Sequence, residues 1–144
     1  MKVSTKGRYG LKAVVDLAVN HEDGMISIKS IAQRQGLSEN YLEQLFASLK
    51  KSGIIKSVRG AQGGYMLAKP DDRITVGDVL RALEGALFPV ECMDFDYPTE
   101  CDKSDTCVTA PVWAKLRDKI NEVVDSITIS DLVKDYESKT KKSF

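Results

Sequence analysis

Residues 27–68 read SIKSIAQRQGLSENYLEQLFASLKKSGIIKSVRGAQGGYMLA, and this stretch decides the fold. Ser27 is placed to cap a short helix, Ile28–Gln35, with Ile28, Ile31 and Ala32 on its apolar face. A serine there accepts a hydrogen bond from a backbone N–H that the first helical turn leaves unpaired. Gly36 stands where a helix wants a left-handed residue at its end. Ser38 caps the next helix, over about 39–52, with Leu42, Leu45, Phe46 and Leu49 on one side and Gly53 closing it. Two short helices around a tight glycine turn have the spacing of a helix-turn-helix, although an ordinary packed pair gives the same pattern. The residues beyond Gly53 tip the balance. Residues 54–59 form a strand pattern, GAQGG at 60–64 suits only a tight turn or a flexible tip, and 65–68 return as a second strand. A hairpin directly behind a helix-turn-helix is a wing. Arg59 stands at the base of its tip and Gln62 at the tip itself, both long, polar and placed to enter a minor groove.

Working outward, Ser4 is placed to cap a helix over 5–21, with Leu11, Val14, Val15, Leu17 and Ala18 as its apolar stripe and Asp23-Gly24 ending it. Downstream, Thr75 caps a helix Val76–Glu84 with Val79, Leu80 and Leu83 inward, and Gly85 stops it. Residues 86–107 hold Pro89, Pro98, three cysteines and six acids with no periodicity, a loop of the length that usually carries function or disorder. Thr109 opens a long helix to about residue 127, with Pro111 in its first turn. Its apolar positions are Val112, Trp113, Leu116, Ile120, Val123, Val124 and Ile127. Such a helix serves either as core or as interface. Dimerisation suits a helix-turn-helix, because two half-sites one DNA turn apart need two recognition helices. Thr128 caps a last short helix, and 138–144 are expected to fray. The expected fold is mainly α with a small β-wing. It divides into a winged helix-turn-helix DNA-binding domain at 1–85, a cysteine-containing loop at 86–108, and a dimerisation helix with tail at 109–144.

The 144 residues suffice for one compact domain, or a small domain with an appendage, and for a core without staples. Hydrophobic residues are 42% and charged residues 29%, which fits neither a disordered chain nor a membrane protein. No run approaches the roughly 18 apolar residues of a spanning helix. MKVSTKGRYG has no apolar signal-peptide core, so a cytoplasmic location is expected. The net charge of zero conceals an asymmetry: residues 1–85 carry 13 Lys/Arg against 9 Asp/Glu, and residues 86–144 carry 8 against 12. The first twelve residues hold Lys2, Lys6, Arg8 and Lys12 and no acid. A basic first half with a winged pattern points to double-stranded DNA.

Cys92, Cys101 and Cys107 are spaced C-x8-C-x5-C among acids and small polar residues. An odd count argues against a closed disulfide framework. Buried thiols or one adventitious disulfide would account for them. Soft-metal ligation accounts for them better, because thiolate is the preferred ligand of iron–sulfur clusters and zinc. Zinc usually takes closer pairs such as C-x2-C, which ranks the cluster first. A fourth ligand is needed, and the loop offers no fourth Cys and no His. The only histidine, His21, ends the first helix. Catalysis finds no support: there is no G-x-x-x-x-G-K-[ST] phosphate loop and no arrangement for a triad.

The opening STKGRYGLKAVVDLA, the block SIAQRQGLSENYLEQLFASLKKSGIIKSVRGAQGGYMLA and the later ITVGDVLRALEG together resemble the family of bacterial winged-helix regulators that includes IscR, NsrR and CymR. The resemblance covers nearly the whole chain. Three cysteines just after the fourth helix resemble the iron–sulfur-biogenesis branch, IscR, or the nitric-oxide-sensing branch, NsrR, rather than the branch of cysteine metabolism. The resemblance implies a homodimeric, non-enzymatic, cytoplasmic repressor of cluster-assembly genes that binds a DNA operator and no membrane. It implies a [2Fe-2S] cluster, with [4Fe-4S] as the alternative, on Cys92, Cys101 and Cys107. IscR-like proteins add a histidine three residues after the last cysteine, where this chain has Ala110. NsrR-like proteins add a carboxylate from the partner's first helix, where this chain has Arg8. The fourth ligand therefore stays open between a loop acid, His21, a partner residue and an exogenous thiol or water. The resemblance also implies that Glu43 discriminates between two classes of operator. A carboxylate accepts from cytosine N4 and is repelled by other acceptors and by phosphate. Ser38, Asn40, Tyr41 and Gln44 surround it as expected base or phosphate contacts.

Overall fold

The computed structural model describes residues 2–94 and 106–141. Six helices and one hairpin follow in the order α1 Thr5–Val19, α2 Ile28–Gln35, α3 Glu39–Lys51, β1 Ile55–Val58, β2 Gly64–Leu67, α4 Val76–Glu84, α5 Ala110–Ser126 and α6 Ile129–Lys141. The mainly helical architecture with a β-wing is the one expected.

The helix-turn-helix forms as its caps dictate. Ser27 Oγ accepts from the Ser30 N–H at 3.2 Å and Ser38 Oγ from the Tyr41 N–H at 3.1 Å. Gly36 turns the chain between them at φ 66° and ψ 35°. The apolar face of α3, Leu42, Leu45, Phe46 and Leu49, is buried against Val14 and Leu17 of α1, Ile31 of α2 and Ile54, Ile55 and Ile74. The Phe46 and Tyr65 rings meet with centroids 4.7 Å apart, which joins α3 to the wing.

The wing pairs antiparallel, Ile55 opposite Leu67 and Val58 opposite Gly64. It starts one residue later than expected, because the Ile54 N–H is used by Leu49 O at 3.0 Å to end the helical segment. The chain before α2 adds a third rung that the sequence did not announce: Ile26 and Tyr65 exchange two backbone hydrogen bonds of 2.8 Å. A Cβ at Gly64 would lie 2.5 Å from Ile26 O, so only glycine permits this approach.

α1 stops at Val19, two residues short of the expected end. The Asn20 side chain donates to Asp16 O at 2.8 Å and competes with continuation of the helix. α6 is longer than the short helix expected, and runs to Lys141 where fraying was expected from 138. Its first turns are anchored by burial: Ile129 is fully buried, and Leu132 and Val133 pack on the main core, while residues 134–140 are exposed. Thr128 and Asp131 close its first turn reciprocally, at 2.9 and 3.1 Å. The joint between α5 and α6 is clipped to the start of α4 by Val76 N–H on Ile127 O and Ile129 N–H on Ile74 O, each 2.8 Å. α5 itself lies along α4, where Arg81 forks onto Asp125 at 2.8 and 2.8 Å and reaches Asn121 Oδ1 at 2.7 Å.

Candidate nucleic-acid interface and cysteine segment

The buried stripe of α3 leaves its opposite side to solvent. Ser38, Asn40, Glu43 and Gln44 are exposed there. Glu43 makes no ion pair among the described residues. It stands in the middle of the exposed face of α3.

Tyr41 differs from its neighbours. It is half-buried, its ring stands edge-on to Tyr9 at 6.3 Å, and its hydroxyl donates to Thr5 Oγ1 at 3.4 Å. It fastens the start of α3 to the start of α1. This places Thr5 and Tyr9 beside α3, which helical periodicity alone did not reveal; the acid-free N-terminus was the available signal. Arg8 and Lys12 each lie 5.7 Å from the Tyr9 ring centroid.

At the wing, Arg59 is the first residue after β1 and is exposed, as is Gln62. Gly63 N–H on Gly60 O, 3.0 Å, closes the turn between them, and Gly60 takes φ 113°. Arg59 has no carboxylate partner among the described residues.

The cysteines lie elsewhere, at the junction of α4 and α5. Cys92 is exposed in a single 3-10 turn, Glu91–Met93, which rests on α5 through Arg117 Nη1 donating to Met93 Sδ at 3.8 Å. Cys107 is half-exposed just before α5, with its Sγ 3.3 Å from Thr109 Oγ1. That hydroxyl, followed by the backbone N–H groups of Thr109 and Ala110, holds the Cys107 thiol below the ordinary cysteine value. Thr109 therefore serves the thiol and makes no side-chain cap for α5. Cys101 lies outside the described residues, as do Asp96, Glu100, Asp102 and Asp105. No group of three metal-ligating side chains occurs among the described residues. Ala110 opens α5 with no donor to offer.

His21 is poorly placed as a ligand within its own chain. Its Nδ1 is 2.9 Å from Ala18 O at the C-terminal end of α1. The chain leaves α4 for Cys92 at the other end, where Glu84 accepts from the Ser4 N–H at 2.6 Å. Fifteen helical residues, about 22 Å of rise, separate those ends.

The profile of the Rrf2 family, described as "Iron-dependent Transcriptional regulator", matches residues 3–135. The chain belongs to the Rrf2 family. Rrf2 relatives bear the names of HTH-type transcriptional regulators, and this chain is accordingly a transcription regulator and not an enzyme. It is 47% identical over 132 residues to the HTH-type transcriptional regulator CymR of Bacillus subtilis, covering 92% of this chain and 89% of that one. The solved structure of that protein, described as the global cysteine regulator of B. subtilis, matches with a TM-score of 0.76 over 93% of this chain and 97% of that chain. T. potens IscR matches with a TM-score of 0.77 and 52% identity, over 96% of this chain and 90% of that one. The IscR of Cronobacter sakazakii is 38% identical over 95% of this chain and 83% of its own length. The cysteine pattern led one to expect the cysteine regulators to stand apart, and they do not: among the curated relatives CymR at 47% is nearer than IscR at 38%, while the solved T. potens IscR is 52% identical. No helix among the described residues is long and apolar enough to cross a membrane.

Proposed function

We propose that this Rrf2 protein is a cytoplasmic homodimer that reads operator DNA with α3 and the wing and senses iron–sulfur status through Cys92, Cys101 and Cys107, controlling cluster-assembly genes. The observation that carries the cluster is Cys107. Its half-exposed thiol is held toward the thiolate form at the head of α5, and the turn bearing Cys92 rests on the same helix. Thiolate is the form that ligates iron. An iron–sulfur cluster, [2Fe-2S] or alternatively [4Fe-4S], supplies when bound an iron-dependent link between the two ends of the 92–107 segment. The chain's own part is to set Cys107 at the head of α5 and to rest the turn bearing Cys92 on the same helix through Met93, and α5 in turn is forked onto α4 of the DNA-reading unit by Arg81. Ala110 gives no fourth ligand, so that ligand comes from the acidic loop, the partner or solution.

For DNA, Glu43 supplies selectivity: it favours a site that offers cytosine N4 and penalises one that offers only acceptors. Arg59 and Gln62 serve the minor groove, and Ser38, Asn40 and Gln44 the major groove. Dimerisation is supported by α5, where Val112, Leu116 and Val123 are 49%, 43% and 55% exposed on one face.

Anaerobic purification with iron and sulfide counts and a visible spectrum tests the reading. Iron and sulfide in proportion, lost on changing the three cysteines to alanine, support it; a colourless protein with stoichiometric zinc overturns it. The 47% identity to CymR favours a second reading, in which the same thiols signal without iron. Metal-free protein whose DNA affinity follows thiol oxidation would establish that one instead. Release from DNA by nitric oxide, with the cluster present, would mark an NsrR-like sensor.

A further inference from the structure

We infer that Asp16 is a positioning residue for DNA recognition: a buried carboxylate that sets the angle of the helix-turn-helix by gripping the last turn of α2. Asp16 interrupts an apolar stripe, with Ala13, Val14, Leu17 and Ala18 around it, and is itself only 6% exposed. A carboxylate is tolerated in such a place only when it is paired and fully hydrogen-bonded. Here both oxygens are used. Arg34 donates from Nε to Oδ2 at 2.9 Å and from Nη2 to Oδ1 at 2.7 Å, a two-pronged fork. Gln35 Nε2 adds 3.0 Å to Oδ2, and Asn20 Nδ2 adds 3.3 Å to Oδ1.

Arg34 and Gln35 are the last two residues of α2, directly before Gly36. The carboxylate therefore holds α2 at the point where the chain turns into the recognition helix. Only Gly36, Leu37 and Ser38 separate α2 from α3, so the orientation of α3 follows that of α2. An apolar residue at position 16 would bury as well and stabilise about as much. What it could not do is fix a direction, which a planar fork does. The Asp16 hydrogen bond holds the Arg34 guanidinium above its ordinary value.

The inference rests on the family-level reading of the chain as a DNA-binding regulator and is independent of the cluster. Its test uses the full-length protein and two duplexes: one selected by the wild-type chain from a random pool, and the same bases scrambled. Fluorescence anisotropy is read across a salt series for Asp16→Asn, Arg34→Lys and the double variant. Positioning predicts a loss of about tenfold or more on the selected duplex, the scale of a misplaced base contact. The scrambled duplex and the salt slope should stay as in wild type, since phosphate contacts are untouched. Arg34→Lys, which keeps the charge and loses the fork, should lose as much, and the double variant no more than either single change. Should Asp16→Asn fail to fold, Arg34→Lys, changed at the exposed partner, carries the same expectation. Folded variants that bind both duplexes as wild type does would overturn the inference, leaving Asp16 a merely structural residue. A parallel loss on both duplexes for Arg34→Gln, with the salt slope reduced by about one, would assign Arg34 to a phosphate and overturn it too. If the wild-type chain selects no duplex, the DNA-binding reading itself fails and the inference falls with it.

Discussion

The helices α3 and α5 both carry long apolar stripes, but their own chain treats them differently. In α3, Leu42, Leu45, Phe46 and Leu49 all disappear into one core. In α5, none of the 17 residues is fully buried. Ile120, Val124 and Ile127 close a second small cluster with Val76, Leu80 and Leu87. Val112, Leu116 and Val123, on the adjoining side of the same helix, face outward. A helix that buries one face in a domain has one apolar stripe. A stripe broad enough to serve two directions, with one direction uncovered among the described residues, is what the proposed pairing with a second copy of the chain would use.

The largest expected effect breaks the α3 side. Phe46→Ala empties a fully buried site beside Tyr65 and should cost about 3–5 kcal/mol, enough to unfold much of the chain and abolish DNA binding. Calorimetry or a thermal melt checks it. A melting temperature within a few degrees of wild type would mean that α3 is not anchored where the core places it.

The α5 side breaks differently. Leu116→Glu should leave the fold intact and disrupt the dimer, since the glutamate would be unpaired only inside the interface. Sedimentation should show monomer. Operator affinity should fall about a hundredfold or more, because the second half-site is no longer linked to the first. Ile120 is the wrong position for this test although its spacing looks equivalent: it packs against the cluster of Val76, Leu80 and Leu87 in its own chain, and Ile120→Glu would damage the monomer instead. A Leu116→Glu protein that sediments as a dimer would move the interface off this face.

That contrast shows what could be read from residues alone. The caps at Ser27, Ser38 and Thr75, the αL turn at Gly36 and the hairpin were legible, because each is a local rule about a backbone group that needs a partner. The stripe of α5 was legible as a stripe, but which of its residues meet their own chain was not. That depends on Arg81, forty-four positions away from Asp125, and on the clip between Ile127 and Val76. The Asp16 fork was missed for the same reason: a lone acid in an apolar stripe is visible, but its partners come from another helix. Tyr41 looked like an exposed contact because position 41 borders the polar face of α3; only the packing of α1 turns it inward. Glu43 and Arg59 were legible as exposed polar residues, and the fold does leave them exposed.

A smaller effect sharpens the division between the two halves. Arg59→Ala should weaken operator binding by about 1–3 kcal/mol if the wing reads a base edge, with folding and dimerisation unchanged. Anisotropy at matched salt, beside a melt and sedimentation, checks all three. Affinity equal to wild type would remove Arg59 from the interface and leave α3 to read DNA alone.

The smallest effect lies in the cysteine segment. The thiolate is the nucleophile, so a thiol held below its ordinary value is alkylated at lower pH than a free cysteine. For metal-free protein, the rate of Cys107 carbamidomethylation, followed by peptide mass spectrometry, should therefore reach its midpoint below the ordinary value of about 8.5. Thr109→Val removes the hydroxyl, the first of the causes that depress it, and should raise that midpoint. The rise should be partial, because the backbone N–H groups of Thr109 and Ala110 remain at the head of α5. The fold should not change, since Thr109 makes no side-chain cap. If the midpoint stays where it was, the helix N-terminus alone holds the thiolate and the hydroxyl is incidental. If it returns fully to the ordinary value, the helix contributes nothing, and the ordering of this thiol for ligation rests on one side chain that a single substitution can remove.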